Sequence, residues 1–316
     1  MRVWLTLLML LAAGGCRQAA GPYPAREIKL VVQAGPGGLS DTVSRVMASL
    51  MEPSLGVPVV CENRPGGSGA LAFSYVSRRP PDGYTIGHAP VEIAMVRTLG
   101  YADVGPDQMD LLCLVSKTQP VLVVHPESPW RTLRDFVEAA RGKPGHYVLG
   151  NSGTGSIWHV NALLLERSAD LSLVHIPFSG SGATLTSLMG RHVDAVVAGA
   201  GEASPHVASG RLRVISVFGA SGSRLFPGVA ASAAEGFDFG ADAWSGFFAP
   251  RGIPAAAREA LTAAMREAFS HKTFQRLCEE RGMEPVFLES EAFHAFAQDE
   301  AGRFAMDIPR LLRMRR

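Results

Sequence analysis

The amino-acid sequence predicts an α/β protein with largely parallel sheets. Three observations carry this. Strand-like apolar runs alternate with helical stripes, four glycine-rich turns join a strand to a helix, and 47% hydrophobic against 19% charged residues describes a chain that packs a core. The 316 residues exceed the usual size of one domain and fit two. Lys and Arg number 30 against 29 Asp and Glu, a net charge of +1, which excludes a broad basic field for nucleic acid.

The chain starts with Arg2, an apolar run from Val3 to Ala13, and then Gly14-Gly15-Cys16. The run is shorter than the ~20 residues of a membrane-spanning helix. A basic start, a short apolar stretch and a small-residue exit read as a secretory signal over residues 1–16. Cys16 after two glycines looks like a bacterial lipobox, with Ala13 where Leu is usual, so that Cys16 would be lipidated and become the first residue. The alternative is an ordinary signal peptide with a chance cysteine. Both place the mature protein outside the cytoplasm. No later segment is long and apolar enough to span a bilayer.

Ile28–Val32 reads as the first strand, followed by the turn 33–41 and a helix with the stripe Val43, Val46, Met47, Leu50. Ser40 or Asp41 is the expected N-cap. Val57–Val60 is the next strand, with the turn 63–69 and a helix to Arg79 after it. Pro80-Pro81-Asp82-Gly83 is a turn before a strand at 84–87. Val121–Val124 ends at Pro126, and Thr132–Arg141 is a helix with Leu133, Phe136 and Val137 on one face. The strand at 147–149 enters the turn 150–156 and a helix from Trp158 to Arg167, and the strand at 173–176 enters the turn 177–182 and a helix to Met189. Val193–Val197 and Leu212–Val217 are strands. Pro254–Phe269 is a packing helix with Ala257, Leu261, Ala264, Met265 and Ala268 inward, and 274–281 and 290–304 are shorter helices.

In an open parallel sheet, strand-to-helix turns gather at the carboxyl ends of the strands, where ligands bind. Each helix start offers unpaired N–H groups and a positive dipole end, a seat for an anion. The four turns hold no Lys, and their only Arg is Arg64, so a carboxylate held by neutral donors is the group they suit. The other reading is that these glycines serve tight turns alone. Hydroxyls cluster at 152–156 and 179–181. His159 stands one turn into a helix beside the third turn, as a ligand contact or as a packing residue; Asp41 is a ligand group or a cap.

Enzyme signatures are missing. There is no G-x-S-x-G elbow, no phosphate-binding G-x-x-x-x-G-K-[ST], no H-E-x-x-H, and Gly153-Thr154-Gly155 lacks the third glycine of a dinucleotide loop. Cys61, Cys113 and Cys278 are odd in number and lack C-x-x-C spacing, which argues against zinc; one disulfide or three buried thiols remain open. No cofactor and no metal are expected.

The order of motifs resembles the Bug/TctC family, extracytoplasmic solute receptors of tripartite tricarboxylate transporters. Its opening A-P-G-G-G-T-D loop corresponds to Ala34–Asp41, its V-V-x-E-N-R-P-G-A-G-G to Val59–Gly69, and its P-D-G-Y-T to Pro81–Thr85. Its S-x-G-x-G-S-x-x-H corresponds to Asn151–Ser156 with His159, its H-V-P-Y-K-G-S-G-P-A to His175–Ala183, and its G-x-x-A-P segment to Phe247–Pro250. The resemblance covers nearly the whole mature chain. It implies an α/β, two-lobed periplasmic-binding-protein (Venus flytrap) fold, type II-like, with two sheets flanked by helices.

The resemblance implies lobe 1 at 24–124 and 240–316, lobe 2 at 125–239, and hinges near 120–126 and 236–245. It implies a small carboxylate ligand met from lobe 1 by Gly37, Gly38, Ser40, Asp41, Gly66, Gly67 and Ser68, and from lobe 2 by Ser152, Thr154, Ser156, Phe178 and Ser181, with His159 nearby. Integral-membrane transporter subunits would be the partners, a lipid on Cys16 the membrane contact, and no chemistry would be done. The alternatives are a receptor for a two-component or other signalling partner and a secreted α/β enzyme. Departures stand in the loops: Leu39 for Gly, Ser40 for Thr, Ser179 for the family's Lys, and Ala198-Gly199 where members often carry Asp-Asn. One cation and one carboxylate are thus missing from the expected cleft, which points to a less polar or larger ligand.

Overall fold

The computed structural model describes residues 23–313; the expected signal segment and Cys16 lie outside the described residues. Eleven strands are present among the described residues: β1 (Ile28–Val32), β2 (Val59–Asn63), β3 (Thr85–Pro90), β4 (Met109–Thr118), β5 (Pro120–Val124), β6 (Val148–Asn151), β7 (Val174–Pro177), β8 (Ala195–Gly199), β9 (Arg213–Val217), β10 (Ala243–Pro250) and β11 (Glu284–Glu289). They form two sheets, one of six strands in the order β11-β4-β10-β3-β1-β2 and one of five in the order β7-β6-β8-β5-β9. The helices are α1 (Leu39–Leu55), α2 (Ala70–Ser77), α3 (Leu133–Arg141), α4 (Ile157–Ala169), α5 (Ser181–Met189), α6 (Ala200–Ala208), α7 (Ala255–Ser270), α8 (Lys272–Glu280) and α9 (Ser290–Arg313). The architecture is the two-lobed α/β one, with two sheets flanked by helices.

The sheets are mixed, which corrects the expectation of largely parallel ones. β1 runs parallel to β2 and β3, and β6 to β7 and β8, but β10 is antiparallel to β3 and β4, β11 to β4, and β5 to β8 and β9. Strands β4, β10 and β11 and helix α6 were not expected from the sequence. The reason is physical: β4 and β10 are central strands covered on both faces, so they show an apolar run without alternation and without a following glycine loop. Pro120–Val124, expected to close the first lobe, is hydrogen-bonded between β8 and β9 in the second sheet. The chain therefore passes between sheets at 118–120 and again between 217 and 243.

Helix α1 buries Val43, Met47 and Met51 against α7, whose buried face is Ala257, Leu261, Ala264, Met265 and Ala268. That spacing is one helical face. Each large side chain so buried contributes about 1.5–3 kcal/mol. A second cluster joins the lobes, because Leu122 and Phe218 of the second sheet share it with Leu111 and Trp244 of the first. Helix α9 runs across both. Phe293 and Ala297 pack on the first lobe, Phe304 and Ile308 belong to the cluster that also holds Val160 and Leu163 of α4, and Arg167 of α4 pairs with Asp307 at 3.0 Å. Cys61, Cys113 and Cys278 are free thiols.

Candidate functional site

The parallel strands β1, β2, β6, β7 and β8 end in the glycine loops, so that loops of both lobes face one another. In the first loop the N-cap of α1 is Gly38, not Ser40 or Asp41 as the sequence suggested. Asp41 lies in the first turn and is 4% exposed. Its carboxylate accepts from the Gly37 N–H at 2.9 Å, from Arg45 Nε at 3.0 Å and from Asn63 Nδ2 at 2.8 Å. Burial alone would raise its pKa; these three donors outweigh burial and hold it at about 2. Asp41 thus spends its charge on the loop itself. Ser40 Oγ accepts from Gln33 Nε2 at 2.8 Å, and Gln33 Oε1 accepts from His88 Nδ1 at 2.9 Å. His88 Nε2 then takes the Ser245 hydroxyl at 2.5 Å, an arrangement that needs a neutral ring, and burial lowers His88 to about 3.

In the second loop Gly66, Gly67, Ser68 and Gly69 have φ of 137°, 55°, 50° and 92°, four left-handed residues in a row. Ser68 is the only one with a side chain, and such a backbone costs a non-glycine residue about 1–3 kcal/mol. Its Oγ reaches the other lobe and donates to the Thr154 carbonyl at 3.5 Å. Tyr101 Oη donates to the same carbonyl at 3.3 Å. Gly37, Gly38, Gly66 and Gly67 are exposed around this mouth.

On the second lobe, Ser156 caps α4 and accepts from the His159 N–H at 3.2 Å, and Ser152 Oγ donates to Ser156 Oγ at 3.1 Å. His159 is buried. Its Nδ1 accepts from the Gly155 N–H at 3.1 Å and its ring meets His175 edge-on at 5.5 Å, so it fastens the loop from behind. Phe178 is half-buried beside Gly150, and its N–H donates to the Asn151 carbonyl at 2.9 Å. Ser181 opens α5 and its hydroxyl bonds Glu202.

Two acidic groups that were not singled out from the sequence stand between the lobes. Glu92, in a short 3-10 turn after β3, accepts from the N–H of Ile157, the first residue of α4, at 3.3 Å. Glu202 in the first turn of α6 accepts from the Gly199 N–H at 2.9 Å. Burial raises both carboxyls, and Glu202 raises Glu92 further. Trp158 and Thr118 pack against Gly199. Glu202 sits three residues after an N-cap, a readable capping spacing; Glu92 and Tyr101 carry no such signal. Glu202 also returns a carboxyl to the region where the sequence counted one as lost.

The starts of α1, α4 and α6 are thus occupied by the protein's own carboxylates, Asp41, Glu92 and Glu202. The expectation that every loop offers an open anion seat is narrowed to the starts of α2 and α5. No group of three or more His, Cys, Asp or Glu side chains suited to a metal occurs among the described residues. No described helix is long and apolar enough to cross a membrane.

A relative from Bordetella pertussis, the protein BugT, is 28% identical over 294 residues, covering 91% of this chain and 90% of that protein. The crystal structure of a TctC solute binding protein from Polaromonas is similar with a TM-score of 0.76 at 25% identity, over 91% of this chain and 99% of that one. MatC from Rhodopseudomonas palustris, solved with bound malate, shares the fold with a TM-score of 0.79 at 24% identity, over 90% and 100%. The family described as tripartite tricarboxylate transporter family receptor, TctC, matches residues 43–311. With its two lobes and opposed loops, the chain belongs to this family of solute receptors.

Proposed function

We propose that the protein captures a small organic acid outside the cytoplasm and presents it to the integral-membrane subunits of a tripartite-type transporter. One observation carries the reading: the loops of the two lobes meet at a single carbonyl, that of Thr154, which accepts from Ser68 and Tyr101 of the opposite lobe. A ligand held between such loops stabilises the apposed arrangement and shifts the hinge equilibrium toward it. The malate held by MatC supports a carboxylate as the ligand class.

Lobe 1 comprises 24–118 and 240–313, and lobe 2 120–239, the strand at 120–124 moving to lobe 2 with its sheet. Ligand contacts come from the 37–41 and 66–69 loops, among them Gly37, Gly38, Ser40, Gly66, Gly67 and Ser68. From lobe 2 they come from Ser152, Thr154, Ser156, Phe178 and Ser181. Asp41 and His159 act by shaping their loops. A lipid on Cys16 holds the protein at the membrane. The acid leaves unchanged: the Ser245 hydroxyl and the buried His88 imidazole beside the first loop are tied with Gln33 and Ser40 into one hydrogen-bonded chain that holds the loop.

Isothermal titration against organic acids, with mass spectrometry of the recovered ligand, tests this. The expected result is saturable binding of one acid class with the acid recovered intact. Turnover of the acid would refute the receptor role. Uptake by cells lacking the gene separates transport from a signalling role: lost uptake supports transport, and unchanged uptake refutes it.

A further inference from the structure

Four side chains behind the first loop of lobe 1 form a hydrogen-bonded chain whose direction is fixed by its own members. His88 is 1% exposed in β3, and its ring meets Phe247 edge-on at 5.7 Å. Phe247 pairs with His88 across the sheet, and alternation puts Ser245, two residues away on β10, on the same face. Ser245 Oγ lies 2.5 Å from His88 Nε2, and Gln33 Oε1 lies 2.9 Å from His88 Nδ1. The nitrogen of the same Gln33 amide donates to Ser40 Oγ at 2.8 Å.

The polarity follows link by link. Gln33 gives its N–H to Ser40, so the oxygen it turns to His88 can only accept, and His88 Nδ1 carries the proton. Burial keeps the ring neutral, so Nε2 holds a lone pair and Ser245 must donate to it. The hydroxyl, the imidazole and the amide thus all point their protons one way, from β10 toward α1. Bonds aligned in this manner polarise one another and strengthen together. Gln33 itself is held between the two loops of lobe 1, since a Cβ on Gly69 would stand 3.2 Å from Gln33 Cγ.

The chain ends at Ser40, in the first turn of α1 beside the exposed Gly37 and Gly38. Its Oγ accepts from Gln33, and among the described residues no acceptor takes its O–H. The reversed chain would put the His88 proton on Nε2, turn the Gln33 amide over and draw the Ser40 O–H inward. That arrangement leaves the Ser245 O–H without an acceptor instead. The two ends compete, and the native polarity delivers the spare proton to the loop.

Resting on the receptor reading, we propose that Ser245, His88 and Gln33 are positioning residues that present the Ser40 hydroxyl as a donor to an oxygen of the bound acid. They act through Ser40. An O–H donated to a carboxylate is a charge-assisted bond, about twice as strong as a neutral one. Removing the Ser245 hydroxyl removes the group that holds the polarity, and the Ser40 proton is then free to turn inward to Gln33.

Titration calorimetry with malate, adipate and other acids of three to eight carbons, on the native protein and on a double-mutant cycle, tests this. For the acid that binds tightest, Ser40→Ala is expected to weaken binding about tenfold or more, the loss of one charged hydrogen bond. Ser245→Ala is expected to weaken it about threefold or more, and to add nothing in the Ser40→Ala background. Ser245→Thr keeps the hydroxyl and is expected to restore native affinity. Nitrogen NMR of the His88 ring in the ligand-free native protein at neutral pH is expected to show the proton on Nδ1, with no variant needed. A proton on Nε2 overturns the proposal and leaves the receptor reading standing. So does an equal loss from Ser245→Ala in both backgrounds, which marks a structural role. Binding of none of these acids by the native protein overturns the proposal together with the receptor reading.

Discussion

Gly201 in the first turn of α6 touches the turn between α8 and β11 in the opposite lobe. A Cβ at Gly201 would fall 1.3 Å from the Arg281 carbonyl oxygen and 2.1 Å from its carbon. Ordinary contact needs about 3.5 Å, so Gly201→Ala forces the two backbones apart by about 2 Å. Neither side is a rotamer that can swing away. The facing residue, Gly282, has φ of 56° and would itself meet Leu225 at 2.0 Å and Gly201 Cα at 2.9 Å if it carried a Cβ. Overpacking a well-packed contact costs about 1–3 kcal/mol, and a backbone-on-backbone overlap sits at the upper end. If the ligand-bound state needs this apposition, a cost of about 3 kcal/mol weakens binding by about 100-fold. Calorimetry reads the loss, and small-angle scattering reads a wider separation of the lobes in the presence of ligand. A variant that binds and melts like the native protein refutes the reasoning. A lowered melting temperature with native affinity shows a contact that supports folding and is unlinked to ligand capture.

Tyr101→Phe removes one donor to the Thr154 carbonyl and is expected to weaken ligand binding several-fold through a loss of about 1 kcal/mol, with the melting temperature of the free protein nearly unchanged. Asp41→Ala leaves the Gly37 N–H, Arg45 and Asn63 without their acceptor and is expected to cost about 2 kcal/mol in urea unfolding at neutral pH. Asp41 is depressed from 3.8 to about 2, so its contribution is present above pH 3.8 and fades as pH falls toward 2. His88 is a base depressed from 6.5 to about 3, so the unfolded chain binds the extra proton between those values and stability falls as pH drops below 6.5. The slope from this one group is about 1.4 kcal/mol per pH unit, and denaturant unfolding of His88→Gln from pH 4 to 7 is expected to show it flattened.

The glycine loops were legible because each sits between a β-run and a helical stripe, and the stripe Ala257–Ala268 named its buried face correctly. The antiparallel strands β4, β10 and β11 were not: β4 and β10 are covered central strands that lose the alternation marking a strand, β11 is a half-exposed edge strand, and the partners lie far along the chain. Asp41 was visible as a residue near a helix start, but its role depends on Arg45 one turn on and Asn63 on a neighbouring strand, which only folding brings together. Glu92 and Tyr101 come from an irregular segment around short 3-10 turns without periodicity, and their reach to Ile157 and Thr154 of the other lobe appears only once the chain is folded. Glu202 could have been found from its three-residue offset to Gly199.

Helix α9 runs from one lobe to the other, with Phe293 packed on Trp244 of one and Asp307 pairing with Arg167 of the other. A helix packed on both lobes ties them along its length, whereas the Ser68–Thr154 contact is one long hydrogen bond of 3.5 Å. The motion available is that of a purse with a sewn seam: one edge swings, and the other only flexes.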